Sequence, residues 1–180
     1  MPQNNALSSL ATIILASCLI ILPFFDPFIL NSFLSSIILE KSLPNLYTII
    51  AGIIILNCGV YGINILASCI SLKSAEKDSK KPLHTEQYAK RRHPIFASLC
   101  LIGVGYEALM GSTLGVIMVS VLPFLLYLEA KRQEKEELIP KYGQVYKGYS
   151  LNVPVRIFSL DVVILLMMEY LLFGLGFFFT

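Results

Sequence analysis

The chain has 180 residues, of which 56% are hydrophobic and 14% charged, with a formal net charge of +2 and a mean hydropathy of +0.71. So apolar a composition excludes an ordinary water-soluble domain, and so small a net charge, with no basic groove interleaved with aromatic residues, excludes nucleic acid as a partner. Cys18, Cys58, Cys69 and Cys100 lie in apolar runs without C-x-x-C spacing, and read as small buried hydrophobes rather than disulfide, metal or nucleophilic groups.

A bilayer core about 30 Å thick is crossed by about 20 apolar residues in a helix. Ala6 to Phe25 meets that requirement, lacks the basic start and small-residue cleavage site of a secretory signal, and ends abruptly at Pro23, Asp26 and Pro27. It is expected as a retained helix. Phe28 to Leu39 is apolar but too short to span, and reads as an interfacial or re-entrant piece. Leu46 to Leu72 is a second full-length span, and Ile157 to Thr180 a third.

Pro94 to Glu129 is too long for one crossing and long enough for two short ones, with Gly111 and Ser112 at its middle. The spacing predicts a tight helical hairpin turning there, whose arms approach closely at Gly103, Gly105, Ala108 and Gly115. Glu129, Arg132, Glu136 and Ile139 then recur at helical intervals, predicting a cytosolic helix interrupted at Pro140 and Gly143. Beyond it, Tyr142, Tyr146 and Tyr149 form an aromatic stripe suited either to the headgroup level of a membrane or to ligand contact.

The expected architecture is therefore an all-α, polytopic membrane bundle of about five transmembrane helices. Residues 1–72 form its N-terminal helices, 73–156 the region that carries chemistry, and 157–180 a last helix. Thirteen of the fourteen Lys and Arg residues fall between Lys73 and Arg92 or between Lys131 and Arg156. Short basic loops stay on the cytoplasmic side, so both segments are expected on that face and the site with them.

Within the first basic segment the chain reads Y-A-K-R-R-H-P-I-F from Tyr88 to Phe96. Pro94 suits a first helical turn, whose free N–H groups and dipole favour an anion near Arg92 and His93. In the second segment Arg132 and Glu136 lie one helical turn apart with Glu137 beside them, a cation and two carboxylates able to bind a zwitterion. Asp161 and Glu169 are acids inside the last apolar segment, the first at its interface and the second deeper.

Together, Y-x-x-x-R-H-P-x-F, the apolar hairpin and R-x-x-x-E-E-L-I-P-K-Y-G-Q-V-Y-x-x-Y-x-x-x-V-P resemble the isoprenylcysteine carboxyl methyltransferase family and its phospholipid methyltransferase relatives, from about Lys80 to Pro154. The resemblance implies an integral membrane enzyme that transfers a methyl group from S-adenosylmethionine to a lipid or prenylated acceptor, without a metal. It implies a cofactor wall of Lys80, Lys81, Pro82, Leu83, Tyr88, His93, Pro94, Ile95, Phe96 and Glu136, with Arg92 and Glu137 in support. Arg132 is then the contact to the acceptor. A prenylcysteine-type carboxylate undergoing O-methylation needs no base, and Arg132 grips it. A phospholipid amine undergoing N-methylation must lose a proton, to His93 or Glu137. The chain departs from the family pattern at Phe96, commonly tyrosine, at Glu86 and Ser98, commonly glycine, and in continuing beyond Ile157.

Two other readings share parts of this pattern. One is an NADPH-dependent membrane reductase of the sterol reductase type, which the carboxylates beside Arg132 and the lack of a further basic cluster disfavour. The other is a lipid-binding protein of the same fold without turnover.

Overall fold

A computed structural model describes residues 20–26, 34, 46–75 and 86–179, and every regular element among them is helical. The expected N-terminal helix and the 28–39 segment lie, apart from residues 20–25 and 34, outside the described residues, as do Cys18 and residues 76–85. A single 3-10 turn, Leu22–Phe24, precedes α1 (Leu46–Ala75). There follow α2 (Glu86–Lys90), α3 (Pro94–Met110), α4 (Thr113–Val119) and α5 (Leu122–Gln133), a π-helical turn (Glu134–Leu138), then α6 (Ile139–Tyr142), α7 (Gln144–Asn152) and α8 (Leu160–Phe179).

The hairpin turns where the small residues predict. Gly111 takes φ +72°, a left-handed conformation that suits glycine at a helix C-terminus, and returns its N–H to Ala108 O. Ser112 then caps α4 by accepting from Gly115 N–H at 2.9 Å, while its own hydroxyl donates to Asp26 at 2.8 Å. Asp26 also accepts from Leu114 N–H at 2.8 Å, so a carboxylate from the early chain satisfies a second open donor of that helix.

Pro140 was expected to interrupt the helix that follows, and it does not. The backbone runs unbroken from α5 through the π-turn into α6. A π-turn widens the helix locally just before Pro140, which has no N–H to donate to the preceding turn. The stop comes at Gly143, whose φ +56° and ψ −128° are costly for any residue with a Cβ.

Three stretches are long and apolar enough to cross a membrane, Leu46–Ser71, Thr113–Tyr142 and Leu160–Phe178, with Pro94–Met110 as a shorter apolar helix. Their outer surfaces carry exposed Ile50, Ile53, Leu56 and Ile63 on α1 and Met167, Leu171 and Phe178 on α8, an arrangement that water would penalise and hydrocarbon does not. Since lipid tails are as apolar as leucine, close backbone approach holds such helices together. At Gly105 an added Cβ would stand 2.8 Å from Glu169 Oε1, so a larger residue there would displace the end of that buried side chain.

α3 packs along α1 and α8, which also meet each other, so the first arm of the hairpin shares one bundle with the helices of the Leu46 and Ile157 stretches. One buried cluster joins Ile65 and Cys69 of α1, Ala97 and Leu101 of α3, Ala130 of α5, and Ile157 and Val162. Tyr88, Ile95 and Phe96 lean on it from the side where the polar residues gather. Cys58, Cys69 and Cys100 are buried and form no disulfide among the described residues.

Candidate functional site

The R-H-P segment and the segment after V-P are tied by backbone hydrogen bonds. Arg92 N–H donates to Val155 O at 3.0 Å and His93 N–H to Arg156 O at 2.8 Å. His93, with φ −123° and ψ 68°, is held out of the helical region that a following proline disfavours, and Pro94 opens α3. The pairing fixes Arg92, His93 and Arg156 around one carboxylate, that of Glu134.

Glu134 is 6% exposed, in the first position of the π-turn and one helical turn after the fully buried Ala130. Arg156 grips it with Nε at 3.1 and 3.2 Å and an NH2 group at 3.0 Å. Arg92 adds a bond of 3.2 Å, and His93 Nε2 lies 3.1 Å from Oε1. A carboxylate can only accept there, so that ring nitrogen carries the proton. Arg156 also lies over the Tyr127 ring, 5.2 Å from its centroid, and donates to the Tyr127 hydroxyl at 3.0 Å. The bond to Glu134 raises the Arg156 guanidinium above its ordinary pKa, so it stays charged.

In front of this cluster lies a cavity of about 250 Å³ lined by Arg92, His93, Gln133 and a set of aromatic rings, Tyr88, Phe96, Tyr142, Tyr146 and Tyr149, with Pro94, Ile95 and Leu138. His93 stacks on Phe96 with centroids 5.4 Å apart and planes within 8°. The tyrosine stripe turns inward, with Tyr146 and Tyr149 only 3% and 5% exposed, and Tyr149 donates to Tyr88 O at 2.7 Å. Burial pushes the Tyr146 phenol up to about 12 and raises those of Tyr88 and Tyr149, so the rings stay neutral. The result is an aromatic box with a guanidinium at one end. Arg92 Nε is buried and donates to nothing among the described residues.

Of the residues singled out in the sequence, Tyr88, Arg92, His93, Pro94, Ile95 and Phe96 come together on this cavity. Lys80, Lys81, Pro82 and Leu83 lie outside the described residues. Arg132, Glu136 and Glu137 stand elsewhere, on the outer face of the helix and away from the cavity lining. Arg132 there pairs with Glu129 at 2.6 Å, Glu136 at 3.1 Å and Glu137 at 3.4 Å, all in solvent-exposed positions. The carboxylate beside His93 is Glu134, two residues earlier than expected. The signal for it was Leu126, Ala130 and Leu138, an apolar i, i+4 series with a carboxylate at its one polar place. Arg156, the cation that this carboxylate requires, was likewise missed.

Asp161 accepts from Arg91 at 2.7 Å, from Tyr61 at 2.5 Å and from Ser159. Glu169 is wholly buried against Gly105. No cluster of potential metal ligands occurs among the described residues. Comparison of the chain with family models, with curated proteins and with solved structures finds no match.

Proposed function

We propose that the protein is an S-adenosylmethionine-dependent methyltransferase that acts on a lipophilic acceptor at the cytoplasmic surface of a membrane. The observation that carries this reading is the aromatic box with Arg92 at its end. Ring faces attract an organic cation and stack on a purine, while a guanidinium pairs with a carboxylate in a two-bond fork. S-adenosylmethionine carries all three groups, and the unpartnered Arg92 Nε suits its carboxylate. When bound, the cofactor supplies a methyl group on an electrophilic sulfonium.

The chain's own residues then align and shield. Glu134 holds Arg92 and His93 in place from behind, and the buried tyrosines exclude water from the displacement. A carboxylate acceptor reacts without a base. An amine acceptor gives up a proton, for which His93, held by Glu134, is the nearest imidazole on the cavity wall. The reductase reading finds less support, because two arginines against one carboxylate leave a single net positive charge, too little for a pyrophosphate and a further phosphate.

Equilibrium binding of methyl-labelled S-adenosylmethionine to the full chain in nanodiscs tests the proposal. Arg92→Ala and Tyr146→Ala should each weaken binding by about tenfold or more, equivalent to about 1.4 kcal/mol. Folded wild-type protein that shows no binding would overturn the reading. Mass spectrometry of lipid extracts incubated with the same cofactor identifies the acceptor.

A further inference from the structure

A second hollow, of about 620 Å³, opens sideways between α1 and α8 and shares no lining residue with the aromatic cavity. The two helices run antiparallel here. Tyr61 meets Asp161 at one end, and Tyr47 donates to Leu172 O beyond the other. Between these ties the walls are Ile54, Cys58, Ile164, Leu165 and Met168, with Asn57, whose side-chain amide donates back to Ile53 O at 2.7 Å. Both helices belong to the stretches long and apolar enough to cross a membrane, and in a bilayer a sideways hollow between them would face hydrocarbon.

The end of the groove at Asp161 is different in kind. Arg91 is fully buried, whereas the Asp161 side chain that it binds is 35% exposed and lines the hollow. The ion pair thus hides its positive end and shows its negative end. Tyr61 and Ser159 hold the carboxylate in that position. An apolar trough ending in a carboxylate complements an amphiphile with a cationic, hydrogen-bond-donating head.

We propose that the α1–α8 groove is a binding site for a membrane phospholipid with a primary ammonium head, its chain lying along Ile54, Ile164 and Met168 and its ammonium on Asp161. A quaternary choline head lacks the N–H donors for that contact, and an anionic glycerol head offers the exposed carboxylate no cation. The site does not depend on the methyltransferase reading. The two linings share no residue, although Tyr61 and Leu165 of the groove pack on the same buried cluster as Tyr88, Ile95 and Phe96 of the cavity.

The test is native mass spectrometry of the full chain released from nanodiscs of equimolar phosphatidylethanolamine, phosphatidylcholine and phosphatidylglycerol. The site predicts that phosphatidylethanolamine is retained about tenfold over either competitor, which corresponds to about 1.4 kcal/mol. Asp161→Asn should abolish the preference. Because that change strands the buried Arg91 and can prevent folding, Ile164→Trp provides an independent variant, filling the trough without touching a polar group. It should abolish lipid retention while leaving binding of S-adenosylmethionine as in the wild type. Equal retention of the three lipids, undiminished retention by Ile164→Trp, or a second copy of the chain covering the groove would each overturn the proposal.

Discussion

Two arginine–carboxylate clusters stand on the same turn of helix, two residues apart in sequence, and they differ in nearly everything but composition. Arg132 reaches three carboxylates on the outer face, where its side chain is 41% exposed and those of Glu136 and Glu137 are 58% and 55% exposed. Glu134, whose side chain is 8% exposed, receives Arg92, His93 and Arg156 on the inner face. The outer arginine has as many partners as the inner carboxylate, yet water competes for each of them and salt screens them all. The inner carboxylate has no such competition, so its partners are held in one geometry and become part of a wall. Burial, rather than the number of opposite charges within reach, separates a structural centre from a solvated face.

The contrast breaks most visibly at Glu134. Glu134→Ala leaves two guanidiniums without their buried counter-ion, and should cost about 3–5 kcal/mol in a detergent unfolding titration. A loss below about 1 kcal/mol, the range of exposed pairs, would place both clusters in the same class. Arg156→Lys keeps the charge but loses the two-pronged grip and the contact with Tyr127. The expected loss is about 1–3 kcal/mol, read in the same titration. Arg132→Ala should shift stability by less than about 1 kcal/mol. Even that difference should vanish in about 1 M salt, where the Debye length is about 3 Å, whereas the Glu134→Ala difference should persist.

Much of the frame was legible from apolar run length and small residues. Leu46–Ala75 and Leu160–Phe179 fall where the hydropathy puts them, and the hairpin turns at Gly111 because that position calls for a residue at ease with positive φ. The R-H-P segment was legible too, since Pro94 sets the start of α3 and keeps His93 before it out of the helical region. The carboxylate partner was not. At an ordinary helical repeat Arg132 and Glu136 share one face and Ala130 and Glu134 another, and nothing in the charges says which face is inner. Ala130 decides it, because its small side chain lets the helix sit against Ala97 and Ile157 in the buried cluster. The continuation through Pro140 was hidden for a related reason, since a π-turn leaves no mark in hydropathy.

The backbone pairing of Arg92 and His93 with Val155 and Arg156 has a consequence for how the protein is made. During synthesis the first pair emerges long before the second, and neither Arg92 nor His93 has its proper neighbours until the later strand of chain leaves the ribosome. The newborn polypeptide can form its helical hairpin first but closes the floor of its cavity only afterwards, as a late, long-range step.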